Sequence, residues 1–120
     1  MHPVFLKLNQ IHFPPMALVS ILHRITGVIL VIAMPVLVYL LTVSLQNEAG
    51  YQRAIELSNQ LLFKALLILF FWSLGHHVVA GIRFLIIDLL GRPVSGRESA
   101  YVALVLSLLV FLFSVGVVIL

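Results

Sequence analysis

Long stretches without a charged residue constrain this chain more than any other feature. Residues 25–45, 65–82 and 101–120 contain none, and a helix that crosses a bilayer needs about 20 mostly apolar residues. The chain as a whole is 62% hydrophobic and 9% charged, whereas soluble domains carry about 25% charged residues. So little charge cannot cover the surface of a water-soluble globule, and the sequence therefore predicts a membrane protein.

The uncharged stretches predict an all-α membrane protein with three transmembrane helices in a single domain, residues 1–120. The helices are placed at about residues 16–45, 61–90 and 99–120. Pro14 and Pro15 precede the first helix, and proline suits a helix start because the N–H that it lacks would be unpaired there anyway. Pro35 falls inside the same helix and should bend it.

Turn signals and polar residues lie between the predicted helices. Residues 46–60 are polar and form a predicted connection, with a surface helix after Gly50. Gly91 is expected to end the second helix, because glycine is favoured just beyond a helix C-terminus. Ser95 and Glu98 have the spacing of a capping box, which places the start of the third helix near Ser95.

Basic residues predict the orientation of the helices, because short loops rich in Lys and Arg stay in the cytoplasm. On this topology one side of the membrane holds Lys7, Arg24, Arg83, Arg92 and Arg97, and the other holds Arg53 and Lys64. The N-terminus is therefore predicted on the cytoplasmic or mitochondrial matrix side, and the C-terminus outside.

Composition also excludes some kinds of chemistry. The net charge is +3, but the seven basic residues form no run, so nucleic-acid binding is excluded. The chain has no cysteine, and it therefore supplies no disulfide, thiolate ligand or iron–sulfur ligation.

Two adjacent histidines stand in the uncharged part of the second predicted helix. Residues at i, i+4, i+7 and i+11 share one helix face. One face then carries His77, Gly81, Phe84 and Asp88, and the other carries His76, Ala80, Arg83 and Ile87. Neighbouring residues on a helix point about 100° apart, so the two imidazoles cannot both bind one metal ion comfortably.

The face of His77 suits a bulky planar cofactor. Gly81, one turn away, leaves room where a side chain would obstruct a porphyrin, and haem iron accepts an imidazole as axial ligand. The alternative is that a membrane histidine forms only an interhelical hydrogen bond, the role expected of His76. Arg83 and Asp88 lie near the helix end, where both could simply reach water.

A second polar cluster, SILHRITG, covers residues 20–27. Ser20 and Arg24 are four residues apart and share a face, and His23 and Gly27 share the neighbouring face. A hydroxyl beside a guanidinium suits a carbonyl oxygen that gains charge on reduction. The alternative is that Arg24 is only an interfacial anchor whose charge reaches the headgroups.

Both clusters resemble motifs of one family. SILHRITG resembles the S-x-x-H-R-x-(S/T)-G motif of the cytochrome b subunit of succinate dehydrogenase, the large membrane anchor of complex II. HHVVAGIRFLIID resembles the H-x-x-x-G-x-R-x-x-x-x-D signature of the same family. The motifs occur in the family's order, in the first and second spans, and the resemblance covers nearly the whole chain.

The resemblance implies a function in electron transfer and a set of partners. It implies a subunit of succinate:quinone oxidoreductase, in the bacterial cytoplasmic (inner) membrane or the mitochondrial inner membrane. A second small membrane subunit would share a haem b with this chain and supply the other axial histidine. An iron–sulfur subunit and a flavoprotein would dock on the pair, and ubiquinone would be the substrate.

The same resemblance implies residue roles by position. His77 matches the axial haem ligand, and Ser20 and Arg24 match the quinone-binding pair. His23, with Arg24, would lie near the haem propionates. Further polar positions near the quinone pocket match Arg83 and Asp88. Phe84 departs from the family, because some bacterial members have a histidine there, and the polar contact at the haem edge is then lost.

The sequence leaves three other functions open. A fumarate reductase anchor would use the same site in the opposite direction, and a haem-free structural anchor would use none of it. A small transporter subunit would need polar residues spread through the depth of the membrane, whereas those found here gather at one end.

Overall fold

The structure, a computed structural model, describes residues 12–91 and 96–120. Its helices are α1 (Pro15–Gln46), α2 (Glu48–Asn59), α3 (Leu61–Leu90) and α4 (Gly96–Ile119). By length and composition, α1, α3 and α4 can each cross a membrane. The predicted all-α fold with three membrane spans is therefore confirmed.

Proline sets the start of α1 without breaking its middle. Pro15 is the first helical residue, and the carbonyl of Pro14 accepts a hydrogen bond from the amide of Leu18 at 3.1 Å. Pro35 lies inside α1, which continues to Gln46. The bend expected at Pro35 stays a prediction.

The connection between the first two spans is more helical than predicted. We expected a surface helix after Gly50, but α2 begins at Glu48. The side chain of Asn47 accepts a hydrogen bond from the amide of Gly50 at 2.8 Å, and such a cap stabilises the helix start. A Cβ at Gly50 would overlap the Val43 carbonyl of α1, so glycine here lets α2 lie close against α1.

Gly91 ends α3 as the sequence predicts. Its φ of 59° is left-handed, a conformation that glycine adopts without a steric penalty and that commonly terminates helices. The third membrane helix, α4, begins at Gly96, beside the start near Ser95 that the capping-box spacing predicted and three residues before the approximate span start at residue 99. Ser95 lies in residues 92–95, outside the described residues, so its capping role stays a prediction.

Small and polar side chains, rather than large apolar ones, fill the interior of the bundle. The buried residues are Val19, Thr26, Ser73, His76, Ala80, Arg83, Ala100, Ala103, Ser107 and Ser114. The large aliphatic and aromatic side chains are mostly exposed. This arrangement is typical of membrane helices, which approach closely through small residues and join through polar ones.

α3 is the central helix, and it packs against both α1 and α4. Arg83 donates a hydrogen bond to the carbonyl of Gly96, the first residue of α4, at 2.9 Å. The last two turns of α3 therefore extend beyond the start of α4. The end of the bundle where α1 and α4 begin also carries the two polar clusters.

Candidate functional site

The two adjacent histidines of α3 contact different helices, as their positions predict. His76 is fully buried, and its Nδ1 lies 2.8 Å from the Ser107 hydroxyl of α4. Trp72 donates a hydrogen bond to the same hydroxyl at 3.0 Å. The prediction that His76 is an interhelical hydrogen-bonder is confirmed, because its Nδ1 joins α3 to α4.

His77 instead faces α1, where its ring stacks on that of His23. The ring centroids are 4.0 Å apart and the planes differ by 9°. The Phe84 ring meets His23 edge-on, at 5.3 Å between centroids. Parallel rings direct their in-plane nitrogen lone pairs alongside one another, so His23 and His77 do not converge on one metal ion.

One ring nitrogen of His77 lies within hydrogen-bond distance of two residues of α1. Its Nδ1 lies 3.1 Å from the His23 carbonyl oxygen and 3.3 Å from the Thr26 hydroxyl. A carbonyl oxygen can only accept, so the hydrogen of the neutral imidazole is on Nδ1. The other nitrogen, Nε2, then carries a lone pair, and no residue within 12–91 or 96–120 hydrogen-bonds to it.

Thr26 and Gly27 form the surface on which the His77 ring rests. Thr26 is fully buried and donates a hydrogen bond to the His23 carbonyl at 3.0 Å. A Cβ at Gly27 would stand 3.1 Å from Cε1 of His77, which is closer than ordinary packing. Both residues belong to SILHRITG. The sequence places Gly27 on the face of His23, as predicted, but the spacing of three between His23 and Thr26 gave Thr26 no predicted role.

An open groove runs beside this pair of rings. Its volume is about 660 Å³, and it is lined by His23, Gly81, Phe84, Leu85, Ile87, Asp88 and Gly91. Gly81, Phe84 and Asp88 of the predicted face therefore line a single groove, whereas His77, the fourth residue of that face, is not part of its lining. A Cβ at Gly81 would make ordinary contact with His23, at 3.5 Å from Nε2. This chain's own packing thus does not require glycine there.

Ser20 and Arg24 lie on α1 at the same end of the bundle. Ser20 is half-buried and Arg24 is exposed. Neither side chain forms a hydrogen bond or an ion pair with any residue that the structure describes, and neither lines the groove. Their polar groups are therefore available to a ligand or another subunit.

Arg83 and Asp88 take separate places. Arg83 is only 9% exposed, and its Nε donates to the Ser99 hydroxyl at 3.0 Å, so it does not simply reach water. Asp88 is exposed and lines the groove beside His23. The structure therefore turns Arg83 towards α4, on a different face of α3 from Asp88.

A compact metal site of the non-haem kind does not fit residues 12–91 and 96–120. Among the described residues, no group of three or more His, Cys, Asp or Glu side chains could hold a metal ion. A single imidazole whose Nε2 lone pair is free suits a haem instead, because the iron takes one axial ligand from each side.

Comparison with known proteins decides the family. Residues 2–114 match the family model of the succinate dehydrogenase/fumarate reductase transmembrane subunit. This chain belongs to that family. A curated relative, the succinate dehydrogenase cytochrome b556 subunit of Coxiella burnetii (strain RSA 493 / Nine Mile phase I), is 39% identical over 111 residues. The match covers 88% of this chain and 86% of the relative.

Membership of the succinate dehydrogenase/fumarate reductase transmembrane subunit family confirms the resemblance found in the two motifs. The matched region includes every residue of α1, α2 and α3, together with most of α4. The polar clusters around His23 and His77 therefore both lie within the matched region.

Proposed function

We propose that this chain is the cytochrome b membrane anchor of a succinate:quinone oxidoreductase. It would hold haem b together with a second small membrane subunit and bind ubiquinone at the edge of the bundle. Succinate oxidation would take place on a flavoprotein subunit, and an iron–sulfur subunit would pass the electrons on. In this account the chain contributes to the quinone site of the enzyme but does not oxidise succinate itself.

The observation that carries the haem assignment is the hydrogen bond from Nδ1 of His77 to the His23 carbonyl at 3.1 Å. Histidines that bind metals usually donate their other ring N–H to a backbone carbonyl or a carboxylate, which orients the ring and makes the free nitrogen more basic. His77 has this arrangement, so its Nε2 is ready to serve as an axial ligand. A bound haem b would supply one-electron chemistry beside the quinone.

We expect the second axial ligand to come from the partner subunit. His76 is fully enclosed and bonded to Ser107, and His23 is stacked parallel to His77. Neither imidazole is placed to serve as a second ligand to an iron that His77 would hold. The proposed contacts for the haem propionates are His23, which lines the groove, and Arg24, on the neighbouring face of α1.

Ser20 and Arg24 are the proposed quinone-binding residues. Their side chains have no partner within the described part of the chain, and a guanidinium stabilises the negative charge that reduction places on a quinone oxygen. The Ser20 hydroxyl would donate a hydrogen bond to that oxygen. Asp88 remains a proposed neighbour of the pocket, while the proposed role of Arg83 there has less support because it hydrogen-bonds to α4.

The membrane location follows from three spanning helices, and the finer placement is part of this proposal. We place the chain in the bacterial cytoplasmic membrane or the mitochondrial inner membrane, with the N-terminus on the cytoplasmic or matrix side. A fumarate reductase anchor remains the alternative, because the same residues can pass electrons in either direction and the family includes both enzymes.

Purification of the tagged chain from its native membrane tests the proposed assembly. We expect a second small membrane subunit and two soluble subunits to co-purify, because exposed polar side chains such as Arg24 and Asp88 need partners in lipid. The isolated complex should reduce ubiquinone with succinate. A stable single subunit that carries its full haem content would contradict the proposal.

Thr26→Val is expected to leave haem in place but to raise its midpoint potential. Valine keeps the shape of threonine and removes one acceptor near Nδ1 of His77, so the axial nitrogen becomes less electron-rich. One hydrogen bond contributes about 1 kcal/mol, and 59 mV corresponds to a factor of ten for one electron. A rise of roughly 40 mV is therefore expected in a redox titration followed by absorbance.

Thr26→Ser provides the matched control, since it retains the hydroxyl and loses only a methyl group. Thr26→Ser should therefore keep the parental midpoint potential of the haem. An equal shift in both variants would show that packing, and not the hydrogen bond, sets the potential.

A further inference from the structure

Arg83 is a buried cation without a counterion in its own chain. It is 9% exposed, and within the described part of the chain its two hydrogen bonds go to neutral acceptors, the Ser99 hydroxyl and the Gly96 carbonyl. The chain has four acidic residues, and none of these, all of which the structure describes, forms an ion pair with Arg83. The Phe84 ring, 5.6 Å from the guanidinium carbon, carries no net charge. Burying a charge that no anion balances is unfavourable, so the anion should come from outside the chain.

The guanidinium of Arg83 retains donors for such an anion. Arginine has five N–H groups, and the contacts to α4 use one on Nε and one on Nη2. The remaining groups can bind phosphate oxygens, for which the planar guanidinium is well shaped.

Beside Arg83 lies a groove between α3 and α4 with apolar walls. Its volume is about 370 Å³, and Arg83 and Ser99 are its polar residues. Ile82 and Val102, on opposite walls, are 53% and 58% exposed, so the groove opens to the surroundings of the bundle. A cation at an apolar groove is complementary to an amphiphile with an anionic head and a hydrocarbon tail.

The depth and the direction of this groove fit a lipid. Arg83 lies level with the first residue of α4, at the end of a spanning helix, where headgroups are found. The α3–α4 groove shares only Ile87 with the groove beside His23, so it lies on a different face of α3 from the groove at which the haem propionates are proposed to bind. Basic pockets between membrane helices are known to bind anionic headgroups.

We propose that the α3–α4 groove binds one anionic phospholipid, with the phosphate at Arg83 and an acyl chain along Ile82, Ile86, Val102 and Leu106. A zwitterionic lipid carries its own cation and does not neutralise Arg83, so the site should prefer anionic lipids. This inference depends on the membrane location and the geometry of the groove, and not on the haem or the quinone.

Native mass spectrometry of the intact, detergent-washed complex tests the site, with phosphatidylglycerol and phosphatidylcholine as probes. The parental complex should retain one phosphatidylglycerol about tenfold more tightly than phosphatidylcholine, as expected for one charge-assisted hydrogen bond. Arg83→Gln should remove this preference. Val102→Trp fills the groove without touching the bonds of Arg83, and it should weaken the retention of both lipids.

Val105→Trp is the matched control, because Val105 is also exposed on α4, at 57%, but lies outside the groove. It should retain lipid as the parental complex does. Where Arg83→Gln fails to assemble, the comparison of Val102→Trp with Val105→Trp decides, and equal retention in these two overturns the proposal. An Arg83→Gln complex that assembles and keeps the parental lipid preference overturns it as well. If Arg83→Gln keeps the parental lipid preference but loses another subunit or its quinone reduction, the proposal is overturned and the anion at Arg83 is a partner carboxylate or the quinone.

Discussion

Arg24→Leu is expected to lower succinate–quinone reductase activity by a factor on the order of 10²–10³, the usual loss when one preplaced donor to a developing negative charge is removed. Arg24 is exposed and has no partner among the residues described, so its charge is available to a reduced quinone oxygen. Ser20→Ala should produce a loss of the same kind, because its hydroxyl shares the face of Arg24 and is proposed to donate to the same oxygen.

Two assays on one preparation separate this effect from misassembly. Succinate oxidation with a soluble dye takes electrons upstream of the quinone, and it should continue in both variants. Arg53→Leu is the matched control, since it also removes one exposed positive charge, but from α2, which follows the other end of α1. This variant should reduce quinone at the parental rate. If Arg24→Leu also reduces quinone at that rate, Arg24 is only an interfacial anchor.

Much of the fold could be predicted because uncharged length and helical periodicity are local properties of the sequence. The second span was expected at residues 61–90, and α3 is Leu61–Leu90. The same periodicity predicts that His76 and His77 face different neighbours, and the structure places them against Ser107 and His23.

The partners of individual side chains could not be predicted, because they depend on how helices distant in sequence pack. Thr26 and His77 are 51 residues apart, and no spacing rule connects them. Arg83 was expected at the water-facing end of its helix, but the structure buries it against the first turn of α4. The interhelical angle and depth that create this contact are not encoded in the periodicity of α3.

His77→Ala is expected to remove most of the haem b from the complex. The variant loses the one imidazole whose Nδ1 donates to the His23 carbonyl at 3.1 Å, and alanine offers no ligand to the iron. His76 is a poor substitute, because its ring is fully buried and its Nδ1 is held at 2.8 Å from Ser107. His76→Asn is the matched control, and it should keep its haem, since it changes the neighbouring imidazole but retains a polar group towards α4.

The claim that His77 binds haem b is tested most directly by the reduced-minus-oxidised absorbance spectrum of the purified complex. The spectrum is measured for the parental protein, His77→Ala and His76→Asn at equal subunit content. We predict b-type absorbance in the parental complex and in His76→Asn, and its loss or strong reduction in His77→Ala. A parental complex without b-type absorbance, or an unchanged spectrum and haem content in His77→Ala, would contradict the account.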